Sequence, residues 1–345
     1  MSITENPNFT VKDFASDQDV RWCPGCGDYS ILAAVKKVLA EIGRPPHEYC
    51  FISGIGCSSR FPYYMNTYGM HTIHGRATAV ATGFKIARPD MKTIVITGDG
   101  DALSIGGNHT IHALRRNVDM TVLLFNNQIY GLTKGQYSPT SPVGAKTKST
   151  PMGSLDQPLE PLAVALAAEA TFVARTVDMH PKHMGQVIAR ALAHKGTAFV
   201  EIFQNCNIFN DGAFAHAQDR KVRADNVVEI EHGKPMIYGK DMNKGLIRNG
   251  RHIEKVTIGE NGVTEADLVI HDEQAHLGFH SHLARLHYPE MPVPLGVLRA
   301  VERPVYDELV EDQIHAAIDR KGGRGSIQKL IAGSSTWTVA ESDGE

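Results

Sequence analysis

From residue 28 to residue 203 the chain alternates helical and strand patterns, and its strands are apolar throughout. That combination leaves few folds open. Residues 28–41 place Ile31, Leu32, Val35 and Leu39 on one face of a helix that Asp28 stands ready to cap. Strand patterns follow at 49–53, 93–97 (TIVIT), 120–125 (MTVLLF), 172–177 and 198–203. The helical runs fall at 76–88, from the GDG turn to about Asn117, at 159–170 and at 183–194. Strands without a polar face are buried on both sides, and strands separated by helices pair in parallel through right-handed crossovers. The expected fold is α/β, a doubly wound and mostly parallel sheet with helices on both faces.

After about residue 210 the pattern changes. Residues 245–258 (GLIRNGRHIEKVTI) read as a β-hairpin turning at Asn249-Gly250, and residues 307–321 as an amphipathic helix. The expected division is an α/β domain over 1–210 and an irregular C-terminal extension over 211–345. The polar stretch 133–153 is the candidate mobile loop, and residues 61–68 (FPYYMNTY) are interface material or a buried internal loop. The composition, 42% hydrophobic and 21% charged, suits a soluble globular protein. A formal charge of −3 provides no basic field for nucleic acid or an anionic membrane. Residues 1–14 lack the apolar segment of a signal peptide, and no run approaches the roughly 18 apolar residues of a membrane span. A cytoplasmic protein is expected.

The chemistry sits where strands end. TIVIT runs into Gly98-Asp99-Gly100-Asp101, and the next strand into Asn126-Asn127-Gln128-Ile129. In a parallel sheet these ends share one edge, where α/β folds bind their ligands. Glycines there let backbone N–H groups approach a diphosphate. Asp99 offers a carboxylate oxygen, Asn127 an amide oxygen and Ile129 a backbone carbonyl; two diphosphate oxygens and a water would complete the octahedron of Mg2+. Gly-Asp-Gly alone is a common turn. With an Asn pair about thirty residues on, a strand before each and a Gly131-Leu132 continuation, the pattern resembles thiamine-diphosphate enzymes.

Five cysteines, Cys23, Cys26, Cys50, Cys57 and Cys206, argue against a disulfide framework. Cys23-Pro24-Gly25-Cys26 precedes the first helix, Cys57 follows the first strand and Cys206 the last, so four thiolates could converge on one centre. On spacing alone that centre is either a [4Fe–4S] cluster or a structural Zn2+. The motifs WCPGCG, GIGCSSR, HTIHGRA, GDGDALSIGGNH and FNNQIYGLTKGQ together resemble the β subunits of 2-oxoacid:ferredoxin oxidoreductases over roughly residues 18–210. The resemblance implies that Cys23, Cys26, Cys57 and Cys206 ligate an iron–sulfur cluster. It further implies that Ile55, Gly56, Cys57, Ser58, Gly100, Asp101, Gly131 and Leu132 line the thiamine diphosphate. Cys50, inside a strand, reads as a small buried hydrophobe. His74 is the candidate catalytic residue, facing cofactor or substrate, with Arg76 near the diphosphate; the plainer reading is a capping turn with a surface arginine. The histidines of 276–287 lack a carboxylate or cysteine pattern that would make them a metal site.

The family implies oxidative decarboxylation of a 2-oxoacid with transfer of the acyl group to coenzyme A and of electrons, through the cluster, to ferredoxin, or the reverse carboxylation. GDGDALSIGGNH resembles the 2-oxoglutarate type, with pyruvate or a broad range of 2-oxoacids as the alternative. A non-redox thiamine-dependent decarboxylase would leave the cysteines without purpose, and a zinc-stabilised non-catalytic subunit would leave GDG and NN without purpose. Because α/β alternation suffices for one such unit only, an α or fused γα partner subunit is expected, and the resemblance implies an α2β2 heterotetramer.

Overall fold

The computed structural model describes residues 9–339. Helix α1 (Asp28–Ile42) leads to β1 (Tyr49–Ser53), a 3-10 segment (Ser58–Tyr64), β2 (Tyr68–His71) and α2 (Ala77–Ala87). Next come β3 (Lys92–Gly98), α3 (Asp99–Leu103), α4 (Gly107–Arg116), β4 (Thr121–Asn126) and α5 (Pro161–Ala167). The α/β run closes with β5 (Phe172–Val177), α6 (Pro181–Ala193) and β6 (Ala198–Phe203). Beyond it lie α7 (Ala215–Gln218), α8 (Arg223–Asn226), β7 (Val227–Ile230), β8 (Ile237–Tyr238), β9 (Lys244–Asn249) and β10 (His252–Thr257). Helix α9 (Leu277–Ala284), β11 (Val293–Ala300), α10 (Tyr306–Arg320) and α11 (Ile327–Ala332) end the chain.

One eight-stranded sheet runs β2-β1-β3-β4-β6-β5-β11-β7. Its first six strands are parallel. Strands β4, β5 and β6 are buried along their whole length between two helical layers, but β5 and β6 are not apolar throughout: Arg175 and Glu201 lie side by side in the core as an ion pair at 2.7 Å. On one face Ile31, Val35 and Leu39 of α1 pack with Met184 and Ile188 of α6. On the other, Ala81, Leu114, Leu162 and Leu283 bring α2, α4, α5 and α9 onto the sheet. Each fully buried Leu or Ile contributes about 1.5–3 kcal/mol relative to exposure, and the five cysteines are free.

Several expectations need correction. Asp28 does not cap α1; Gly27 stands at the cap, and Asp28 is the first helical residue, buried with its side chain turned inward. The helix foreseen after GDG is two, α3 and α4. The chain must turn at Ser104–Gly106 to clear the Gly75 turn: a Cβ on Gly106 would lie 2.4 Å from the Asp101 carbonyl, and one on Gly75 2.5 Å from the Gly106 nitrogen. The stretch after residue 210, expected to be irregular, adds two strands to the main sheet. Strand β11 pairs antiparallel with β5 and parallel with β7, so both extend the main sheet, while β8, β9 and β10 form a separate antiparallel sheet. The β9–β10 hairpin is where the pattern put it, but Asn249 pairs with His252, so the turn is Gly250-Arg251, with Gly250 at φ 59°. Residues 61–68 divide: Phe61 and Tyr64 are buried, whereas Tyr63 and Tyr68 are exposed. Among the described residues no helix is long and apolar enough to cross a membrane.

Candidate active site

The carboxyl ends of β1, β3, β4 and β6 meet at one edge, and the candidate residues gather there. Asp99, directly after β3, is 2% exposed. Its Oδ2 accepts from Ser138 Oγ at 2.5 Å and from Thr140 Oγ1 at 2.6 Å. Both donors come from the stretch expected to be a free loop, so that loop is tied to the site by its inner turn. Burial pushes the Asp99 carboxyl above its ordinary range, partly offset by those hydroxyls. Asn127 is oriented from both sides: its Oδ1 accepts from Ile129 N at 3.2 Å, and its Nδ2 donates to Gln204 Oε1 at 2.7 Å. Asn126 faces away, donating to Glu201 Oε1 at 2.7 Å. A buried carboxylate, an amide oxygen and a loop carbonyl are the hard donors that Mg2+ takes. Gly100 has no room for a side chain, since a Cβ would lie 2.2 Å from the Tyr130 ring.

Asp101 works differently from what the motif implied. Its Oδ1 accepts from Ile55 N (3.1 Å), Gly75 N (2.7 Å) and His74 Nδ1 (2.6 Å), and its Oδ2 from Thr97 Oγ1 (2.7 Å). One buried carboxylate thus pins the loop leading to Cys57 and the turn carrying His74. It also holds the His74 proton on Nδ1, which leaves Nε2 free. His74 is half-exposed, 6.3 Å from the Tyr130 ring. The Arg76 guanidinium lies 3.4 Å from the Ile105 carbonyl. Ser58 is buried beside Gly98, while Ile55, Gly56 and Leu132 line a neighbouring cleft of about 590 Å³.

Cys23, Cys26, Cys57 and Cys206 line one cavity of about 210 Å³, roofed by Trp22 and bordered by Arg21, Arg60 and Lys134. The Cys23–Cys26 turn is docked on the segment after β6: Asn207 Nδ2 donates to the Pro24 carbonyl at 2.7 Å and Gly27 N to the Asn205 carbonyl at 3.1 Å. Gly131 floors the cavity, its Cβ position 3.5 Å from Cys57 Sγ and 3.6 Å from Cys206 Sγ. The thiols surround a space rather than a point. Among the described residues no group of three or more His, Cys, Asp or Glu side chains stands close enough together to hold a single metal ion. Burial pushes the Cys57 thiol up to about 12 and the Cys26 thiol well up, the Asp28 carboxylate adding to both. Burial also raises Asp28, to about 7. Such thiols shed their protons when a metal arrives to replace them. Cys50 lies apart, fully buried with Val95 and Ala81 in the opposite core layer.

Three residues escaped the motif search: Ser138, Thr140 and Gln204. Gln204 donates from Nε2 to Cys26 Sγ at 3.2 Å and to the Asn205 carbonyl at 2.6 Å. Hydroxyls in a polar loop and an amide behind a strand carry no spacing signal.

The family model described as thiamine pyrophosphate enzyme, C-terminal TPP binding domain, matches residues 54–202. The 2-oxoglutarate oxidoreductase subunit KorB of Mycobacterium tuberculosis is 50% identical over 331 residues, covering 95% of this chain and 88% of that protein. The 2-oxoacid:ferredoxin oxidoreductase subunit beta of Saccharolobus solfataricus is 39% identical over 247 residues, 69% of this chain and 80% of that one. A solved 2-oxoglutarate:ferredoxin oxidoreductase from Magnetococcus marinus, with 2-oxoglutarate, coenzyme A and succinyl-CoA bound, superposes with a TM-score of 0.74 at 37% identity, covering 94% of this chain and 96% of that one.

Proposed function

Because the chain belongs to the β subunits of the 2-oxoacid:ferredoxin oxidoreductases, we propose that it is the thiamine-diphosphate-binding half of an enzyme that converts 2-oxoglutarate and coenzyme A to succinyl-CoA and CO2. In this reading Asp99, Asn127 and the Ile129 carbonyl hold Mg2+ against the diphosphate, and the four cysteines of the 210 Å³ cavity hold a [4Fe–4S] cluster. Held there, thiamine diphosphate would supply a carbon nucleophile and electron sink for decarboxylation, and a cluster would supply a one-electron path toward ferredoxin. The chain's own residues position and gate this chemistry. Asp101 keeps the His74 proton on Nδ1, so Nε2 is the ring nitrogen left to exchange a proton with a bound group. Arg21, Arg60 and Lys134 offset the negative charge of four thiolates. Trp22, whose Nε1 donates to the Cys57 carbonyl at 2.7 Å, braces the loop that carries Cys57.

One observation carries the redox assignment: residues 127–132 form a single loop that presents Asn127 and Ile129 at one end and Gly131, against two thiols, at the other. A non-redox thiamine enzyme has no use for that adjacency. The reading is tested on the complex with its α subunit, purified without oxygen. Expected are broad visible absorbance and coenzyme-A-dependent reduction of a viologen dye, with kcat/KM higher for 2-oxoglutarate than for pyruvate. A colourless, zinc-containing preparation would sink it.

A further inference from the structure

We propose that Gln204 is a positioning residue shared by the two cofactor sites, its amide orienting the Mg2+ ligand Asn127 with one end and setting the reduction potential of the iron–sulfur centre with the other. The inference rests on the functional reading above and assigns a residue to which neither motif points.

Gln204 directly follows β6, and its backbone N–H donates to the Asn126 carbonyl at 2.9 Å, prolonging the β4–β6 ladder by one rung. The side chain leaves a fixed backbone and is 1% exposed. Its orientation is forced by its neighbours. The Asn205 carbonyl can only accept, so the group 2.6 Å away must be Nε2. That places the same NH2 group 3.2 Å from Cys26 Sγ and turns Oε1 toward Asn127. Asn127 is oriented independently, because the Ile129 N–H can only donate and therefore faces Oδ1. The two amides can be assembled one way only: Asn127 Nδ2–H to Gln204 Oε1, and Gln204 Nε2–H to Cys26 Sγ.

Each contact has a chemical consequence. An N–H donor to a ligating sulfur stabilises the more negative, reduced cluster and so raises its potential. An acceptor on Asn127 Nδ2 fixes which face of that amide, the oxygen, remains for the metal, as outer-shell partners do for metal ligands generally. The Gln204 amide thus serves one site with its NH2 group and the other with its oxygen, its contact with the Asn205 carbonyl fixing the orientation, and any movement of the CPGC turn is passed to Asn127 through one side chain.

The experiment uses the full αβ complex with Gln204→Met and Gln204→Glu. Methionine keeps the length and loses both contacts; glutamate keeps the acceptor toward Asn127 and loses the N–H donor. Reduction potentials are read from redox titrations followed by electron paramagnetic resonance, which reports loaded clusters only. Thiamine-diphosphate affinity is read at fixed Mg2+ by fluorescence quenching. Expected for Gln204→Met are a lower potential and an affinity weaker by about tenfold, the lower end for outer-shell partners. Expected for Gln204→Glu is a lower potential with affinity within about threefold of native, since the acceptor that orients Asn127 is kept. An unchanged potential in either loaded variant, or native affinity in Gln204→Met, overturns the proposal. A native complex without a cluster signal would instead overturn the functional reading, so the two failures are distinct.

Discussion

Burial raises the Cys26, Cys50 and Cys57 thiols alike, so which cysteines ligate iron is a question for single substitutions. Replacing Cys23, Cys26, Cys57 or Cys206 by Ala should each lower iron content and leave the complex sensitive to oxygen, whereas Cys50→Ala should cost only packing, on the order of 1 kcal/mol. Iron analysis of the five variants checks this, and equal loss for Cys50 would refute the ligand set. A second residue-scale effect concerns His183, which is 8% exposed and shares a 2.8 Å hydrogen bond with Thr176. Burial lowers its pKa from 6.5 to about 4. Between those values the unfolded chain binds a proton that the folded chain does not. The contribution to stability is therefore complete above pH 6.5 and is lost as pH falls toward 4, on the order of 3 kcal/mol. Urea midpoints of native protein and His183→Asn should be well separated at pH 7 and approach each other at pH 4.5; a constant gap would show that His183 does not titrate in this way. Asp99 and Asn127 could be recognised in the sequence because a strand precedes each and fixes its edge of the sheet. Asp101 could be seen but not understood: a carboxylate beside a diphosphate motif looks like a ligand, and only the folded chain brings three N–H groups to it.

Among the elements, the loop between β4 and α5 has the most consequence for the site. Ser138 and Thr140 give Asp99 the donors that make a buried carboxylate tolerable. Ser138→Ala with Thr140→Val should destabilise the cofactor-free chain by about 1–3 kcal/mol, the cost of leaving such a group unpaired. Added Mg2+ and thiamine diphosphate should recover most of that loss, whereas Asp99→Ala should abolish cofactor binding. Thermal melts with and without the ligands compare the variants, and an unaltered melting temperature in the double variant would contradict the role given to the loop. Strands β3 to β6 were legible because each is a short, mostly apolar and β-branched or aromatic run between helical patterns, the two charges in β5 and β6, Arg175 and Glu201, being paired with each other at 2.7 Å. Strand β2 was not: Tyr68–His71 is exposed along its length and pairs only at the sheet edge. Strand β11 hid behind Pro294 and Gly296, residues that ordinarily argue against a strand; Gly296 sits at φ 131°, and the ladder slips between Val297 and Arg299.

At the scale of the molecule, this chain carries one diphosphate-binding unit, and activating thiamine also takes a carboxylate at the far end of its pyrimidine ring. We expect that this second half comes from the α subunit and that the active site lies between chains. The chain expressed alone, with iron, sulfide, Mg2+ and cofactor restored, should bind both groups yet give no 2-oxoacid-dependent dye reduction; sustained turnover by the pure chain would show that the active site is complete within it. The sequence made the α/β unit plain and left the rest obscure, since β7 and β11 take their places only through pairing with strands far away in the chain. That pairing has a consequence for biosynthesis. Every strand from β1 to β6, and every candidate ligand, has left the ribosome by the time Cys206 emerges, but β7 cannot join the sheet until β11, some sixty residues later, wedges in beside β5. The nascent protein therefore passes through an interval with a finished set of cofactor ligands and an open sheet edge at β5, exposed to wrong partners until β11 has been made.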